Sequence, residues 1–272
     1  MTRLGAADVI DEPSHPRVRA ARRCHSAAGR AKTGRFLAEG PASVREALAE
    51  PGVVIEVFAT EEWLANAPAG GPGVDPDLTL HRVSERVLAA VAETRRPQGV
   101  VAVCRDVTVS LDALLACSPR LVVVLAEVRD PGNAGTIIRT ADAAGADGVV
   151  LTTASVDPLG GKCVRSTAGS LFHLPIVVGQ PVEVLDRLRE AGFSVLAAHG
   201  SASTDLVEAD SSGLLGRPTA WVVGNEAHGV PNAYLDAADQ AVRVPMHGRA
   251  ESLNVSVAAA VCLYASASAH RR

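Results

Sequence analysis

From Leu121 onward the chain alternates short, unbroken apolar runs with helical stretches, and this pattern restricts the possible fold more than any other feature. The apolar runs lie at 121–128, 148–151, 174–178, 194–198, 220–223 and 242–244. They are continuous and do not alternate with polar residues, which marks strands covered on both faces, as in a parallel sheet between helix layers. Helical stretches at 134–144, 181–191 and 255–266 would supply those layers. The expectation is an α/β domain with a parallel sheet, and its ligands should bind in loops at the carboxyl ends of the strands.

The chain before this point has a different texture. A basic helical stretch is followed by a helix at 42–49, a strand at 53–59, a helix at 84–92 and a strand at 99–104. Between them, 61–78 contains Pro68, Pro72, Pro76, Gly70, Gly71 and Gly73 and reads as a surface loop. This predicts a smaller α/β domain over 1–105, a linker at 106–119 and the parallel-sheet domain over 120–272.

Composition narrows the partners. Hydrophobic residues make up 47% of the chain and aromatics 3%, so Val, Leu, Ala and Ile must fill the cores. No apolar run has the length of a bilayer span and the first thirty residues lack a signal-peptide core, so a cytoplasmic protein with no membrane partner is expected. Five scattered cysteines form no CxxC pair and eight histidines show no ligand spacing, so no metal site is expected. Net charge is −4, yet seven basic residues and no acidic one fall between His15 and Arg35. Arg17, Arg22, Arg23, Arg30, Lys32 and Arg35 in this run are candidate contacts to RNA phosphates, because a phosphate footprint needs a local excess of positive charge.

Three loops carry the chemistry. The first, EVRDPGNAGTIIRTADAAG at 127–145, has glycines that free the backbone, Asn133 as a candidate helix cap and Arg139 inside the helix. Its GxxG spacing does not satisfy the GxGxxG of a dinucleotide fold, which argues against an NAD-linked oxidoreductase. The second, VVGNEAHGV at 222–230, places Asn225 and Glu226 at a strand end. In the third, VPMHGRAESLNVSVAAAV at 244–261, Pro245 ends a strand and Ser252, Asn254 or Ser256 opens an apolar helix.

In order and spacing these loops resemble the three signature motifs of the SpoU/TrmH family of the SPOUT methyltransferase superfamily. Asn133, Gly135 and Arg139 match the first motif; Gly224, Asn225, Glu226 and Gly229 match the second; Pro245, Met246 and Ser252 to Ser256 match the third. Lys162, Arg165, Ser166, Gly169 and Ser170 fit the link between them, and the likeness runs from about residue 121 to 267. Less specifically, KTGRFLAEG at 32–40 and RRPQGVVAV at 95–103 resemble the L30e-like RNA-binding domain often joined to this family.

The resemblance implies a deep trefoil knot in the C-terminal domain and methylation of a ribose 2′-hydroxyl in structured RNA, with S-adenosylmethionine as cofactor. It implies Gly224, Val244, Met246 and Leu253 as cofactor contacts. Arg139 is implied to act on the hydroxyl, with Asn133, Glu226, Ser252 and Asn254 around it, and Lys162 and Arg165 are candidate RNA contacts. Ribosomal RNA of the large subunit is favoured over transfer RNA on the N-terminal extension, by analogy with relatives. A transfer-RNA enzyme and a non-catalytic RNA-binding protein are the alternatives. A homodimer is expected, with Val255, Val257, Ala258, Val261, Cys262 and Ala265 supplying more apolar surface than one helical stripe needs.

Overall fold

The Val- and Leu-rich runs become strands in the computed structural model, which describes residues 9–66, 78–225 and 228–272. The chain divides into two compact units, Met1–Val107 with Leu159–Phe172, and Thr108–Pro158 with His173–Arg272.

The first unit is built on a four-stranded sheet of β1 (Arg35–Glu39), β2 (Val54–Ala59), β3 (Thr79–Arg82) and β4 (Val100–Arg105), in the order β1-β4-β2-β3. β4 runs antiparallel to both neighbours, while β2 and β3 are parallel. Leu37, Phe58, Val87, Leu88 and Val101 form the centre of its core. The stretch expected as a loop from 61 starts as a helix, Glu61–Asn66, and 67–77 lies outside the described residues. The basic run folds as two short helices, Pro16–Ala21 and Ala27–Thr33, joined by a 3-10 turn. Residues from the middle of the chain complete this unit. The helix Gly161–Ser166 packs on β1, and Phe172 stacks on Phe36 with ring centroids 6.1 Å apart.

The second unit is an eight-stranded sheet. It contains β5 (Thr108–Val109), β6 (Leu121–Leu125), β7 (Gly148–Thr152), β8 (Ile176–Gly179), β9 (Ser194–Ala198), β10 (Thr204–Asp205), β11 (Thr219–Val223) and β12 (Gln240–Arg243). The order is β10-β12-β9-β11-β6-β7-β8-β5, and every pairing is parallel. β6, β7 and β11 are buried throughout, as their unbroken apolar composition requires. Each Val or Leu so buried contributes about 1.5–3 kcal/mol relative to exposure. Trp221 of β11 is fully buried, and its indole N–H donates to Ser266 Oγ at 2.9 Å, which satisfies the one polar atom it brings inside.

Two expectations change here. The stretch 106–119 is not a bare linker, because β5 extends the sheet edge beside β8 and a helix follows at Leu111–Ala116, capped by Ser110. The first predicted strand stops at Leu125 and not at 128, because Glu127 turns into the left-handed region at φ 60°. Downstream, the helix Pro131–Ala144 ends on Gly145 at φ 75°, a cap that a Cβ would disfavour.

The five cysteines are free, and burial pushes the Cys262 thiol up to about 12. Among the described residues no helix is long and apolar enough to cross a membrane, and no group of His, Cys, Asp or Glu could hold a metal ion.

Candidate active site

The strand order reverses at β6 and β11: from β6 the chain builds outward through β7 and β8, then returns to the other side. A crevice at the carboxyl ends of such strands is where open α/β sheets hold ligands. The first motif leaves β6 and the second leaves β11, so their register as adjacent strands brings the two loops together.

Local chemistry shapes the first loop. Asp130, not Asn133, caps the helix Pro131–Ala144, its Oδ1 accepting the Asn133 N–H at 2.8 Å. The signal was present in the sequence as Asp followed by Pro, an acceptor at the cap and a residue without an N–H at the first helical position. Asn133 is therefore in the first turn of the helix, with its side chain available to another element. Arg139, six residues further on, is exposed and has no hydrogen bond or ion pair to another described residue.

The second loop closes on itself. Asn225 and Gly229 exchange backbone hydrogen bonds, each 2.8 Å, across a tight turn. Gly224 lies so close to this turn that a Cβ on it would come within 2.2 Å of the Gly229 carbonyl and the Val230 nitrogen, so no larger residue fits. Asn225 reaches the first loop, its Nδ2 donating to the Glu127 carbonyl at 3.1 Å. Glu226 lies outside the described residues.

The third loop follows β12 and ends on Asn254, which caps the helix Val255–Ala269. Its Oδ1 accepts from the Ser256 N–H at 2.9 Å and the Ser256 hydroxyl at 2.6 Å, which orients the amide. Its Nδ2 then donates to Asn133 Oδ1 at 3.1 Å. Two residues 121 positions apart are joined in this way, tying the third motif to the helix that carries Arg139. Ser252 is exposed on the same loop, and Val244 is half-buried at its start. Met246 and Leu253 stand 39% and 37% exposed, apolar side chains that the chain leaves uncovered. Apolar side chains beside open loop backbone suit the burial of an adenine ring, so the donor set and its surroundings fit a nucleoside cofactor.

The expected RNA contacts divide. Arg22, Arg23 and Lys32 are exposed, Arg35 is half-buried, and Arg17 lies 3.7 Å from Glu56. Arg30 is a correction. It is 9% exposed, and its Nη1 donates to the carbonyls of Cys24 and His25 at 2.8 and 3.2 Å, closing the 3-10 turn. Arg165 is half-buried, with its Nη1 3.3 Å from the buried Glu39 carboxylate, which also accepts the Glu93 N–H at 2.6 Å. Lys162 is exposed on the same helix. A cleft of about 540 Å³ in the first unit is lined in part by Trp63 and by Arg95, Arg96 and Gln98, which belong to the stretch at 95–103 that resembles an L30e-like domain, and by no residue of the three loops.

Comparison with known proteins agrees with this geometry. Residues 120–264 match the model of the SpoU rRNA Methylase family, and residues 15–102 match that of the MRM3-like substrate binding domain. The chain is 36% identical over 258 residues to a Bacillus subtilis protein named 23S rRNA (guanosine(2553)-2′-O)-methyltransferase RlmP, covering 94% of this chain and 97% of the relative. An AdoMet-bound rRNA methyltransferase from Sinorhizobium meliloti superposes with a TM-score of 0.80 at 30% identity, over 96% of this chain and 98% of the other. The SpoU methyltransferase AviRb from Streptomyces viridochromogenes, solved with AdoMet, gives a TM-score of 0.77 at 27% identity over 93% and 98%. With matched family models over both halves and a relative of this identity along nearly its full length, the chain belongs to the SpoU rRNA methylase family.

Proposed function

We propose that this protein transfers a methyl group from S-adenosylmethionine to the ribose 2′-hydroxyl of one nucleotide in ribosomal RNA of the large subunit. The observation that carries the reading is the 3.1 Å bond from Asn254 to Asn133, which gathers the third motif onto the helix of an exposed Arg139. When bound, the cofactor supplies an activated methyl on a sulfonium centre. The protein's task is then to align the hydroxyl and stabilise the oxygen as its proton leaves. Arg139 suits that task as a donor and not as a base, because a guanidinium keeps its protons in proteins. Five N–H donors on an exposed side chain can serve a phosphate and a developing alkoxide together. Asn133 and Asn254 hold the helix and loop in register, while Gly224, Val244, Met246 and Leu253 contribute backbone and apolar surface for the cofactor. Ser252 adds an exposed hydroxyl to this loop, and Glu226 is assigned to the same site by its motif.

Large-subunit RNA is favoured over transfer RNA because the relative matched along nearly its whole length is named for 23S rRNA, and because the N-terminal unit matches a substrate-binding domain. Two finer features belong to the same reading. One is the trefoil knot expected of the C-terminal domain. The other is a homodimer through the helix Val255–Ala269, where Val257, Val261 and Tyr264 remain open on the face opposite the buried Ala259, Leu263 and Ser266. The test is mass-spectrometric mapping of ribose methylation in total RNA from a strain lacking the gene and from its parent. One 2′-O-methyl lost from large-subunit RNA and restored by the gene is the expected result. Loss from transfer RNA, or no loss at all, overturns the assignment.

A further inference from the structure

Glu127 carries a side chain at φ 60°, a backbone region that L-residues rarely occupy and that persists only where the surroundings impose it. It lies between β6 and the helix of Arg139, two residues beyond the strand's end. The groups that impose the bend come mostly from the end of β7. Thr152 Oγ1 accepts the Glu127 N–H at 3.3 Å, and Ser155 Oγ accepts the Val128 N–H at 3.1 Å. Both hydroxyls donate to the Leu125 carbonyl, at 3.2 Å from Thr152 and 2.8 Å from Ser155. The second motif closes the other side, through Asn225 on the Glu127 carbonyl at 3.1 Å. Backbone bonds complete the frame, from Ala126 N–H to Val223 at 2.8 Å and from Val156 N–H to Val128 at 2.9 Å. Thr152 is 1% exposed, so none of its bonds is shared with bulk water.

A two-hydroxyl clasp is more than the end of a buried strand needs. Packing alone would accept an apolar residue at 152, as β6 and β11 end in Leu125 and Val223. What the hydroxyls add is a set of acceptors and donors for a bend the backbone does not favour by itself. The bend sets the point and angle at which the helix Pro131–Ala144 departs, and so where Asn133 and Arg139 stand.

We infer that Thr152 and Ser155 are positioning residues for methyl transfer, holding the left-handed Glu127 bend that aims the Arg139 helix. The inference rests on the methyltransferase reading above. Thr152→Val keeps the side-chain shape and removes the hydroxyl that accepts the Glu127 N–H and donates to the Leu125 carbonyl. Measured on the full-length protein with large-subunit RNA, it lowers kcat by about tenfold or more, as a misplaced reacting group does. The KM for RNA and the dissociation constant of S-adenosylmethionine stay within about threefold, and Tm falls by only a few degrees for the Glu127 N–H left without its acceptor. Thr152→Ser restores most of the rate, and Ser155→Ala acts in the same direction as Thr152→Val.

A double-mutant cycle tests the link to the bend. Glycine takes positive φ without enforcement, so in an E127G background Thr152→Val costs much less than it does in the parent. Hydrogen exchange reads the same event without turnover, as faster exchange of the amides of 128–134 in Thr152→Val beyond any change in the β6 and β11 amides. An unchanged kcat and unchanged exchange in Thr152→Val overturn the inference. So does a loss of the same size in the E127G background, or a loss that simply follows Tm. A wild-type protein that methylates no RNA overturns the functional reading instead, and the exchange measurement still tests the clasp.

Discussion

Arginine dominates the basic residues of this chain, and the structure uses individual arginines for opposite purposes. Arg30 is folded inward onto two carbonyls and Arg165 faces a buried carboxylate, whereas Arg139 is held out from its helix with no partner among the described residues. A guanidinium aimed at solvent from the loop end of a parallel sheet is placed to meet a substrate oxygen. Arg139→Ala should therefore reduce methyl transfer by about two orders of magnitude or more, the usual loss when an oxyanion-stabilising donor is removed. S-adenosylmethionine affinity, measured by calorimetry, should stay within a few-fold. Single-turnover rates near those of the parent would remove Arg139 from the chemistry. Asn133 and Asn254 were readable as site residues from their motifs, but not their direct bond, because the two are far apart in sequence and only the fold makes them neighbours.

Among the elements, the basic segment shows how local charge is sorted by local packing. Val18, Ala21 and Cys24 point into the core of the first unit, which turns Arg22, Arg23 and Lys32 outward and takes Arg30 inside. Neutralising Arg22, Arg23 and Lys32 together should raise the KM for RNA. Each lost phosphate contact should also reduce the slope of log K against log salt by about 0.7–0.9. S-adenosylmethionine affinity should not move. An unchanged salt slope would assign the segment to solvent. Arg30 is left out of this variant because its loss would strip two carbonyls of their donor and weaken the turn itself. The helix Val255–Ala269 is sorted in the same manner. Cys262, expected on a shared surface, is buried in the protomer, while Tyr264 joins Val257 and Val261 on the open face.

For the whole molecule, that open face makes a prediction about assembly. Val257 and Tyr264 are 48% and 49% exposed with Val261 beside them, a contiguous apolar stripe one or two turns apart. Light scattering should give about twice the 28.0 kDa chain mass, and a Val257→Asp, Val261→Asp double variant should shift it toward the single chain and lose activity. A fully active monomer at assay concentration would exclude the dimer. The division into units also departs from a simple cut along the chain. Residues Leu159–Phe172 lie between the first two motifs in sequence yet belong to the N-terminal unit, since Phe172 stacks on Phe36 and Arg165 faces Glu39. No composition shift announces this, because a helix that packs on one sheet reads the same as a helix that packs on another.

Taken alone, the sequence determined the parallel α/β architecture and the identity of three chemistry-bearing loops. Both were legible along the chain: unbroken Val and Leu runs require burial on both faces, and the three loops were marked by the order and spacing in which their Gly, Asn and Arg resemble a known set of motifs. Tertiary structure decided which polar groups meet. Asn254 met Asn133 because the fold brings together two loops 121 residues apart. Glu127 became left-handed because the hydroxyls of Thr152 at the end of β7 and of Ser155 just beyond it, with an amide from the second motif, converge on its peptides. The sign of an arginine's role, inward clamp or outward donor, likewise followed from the packing around it, since one side chain type serves both and only its neighbours in space distinguish them.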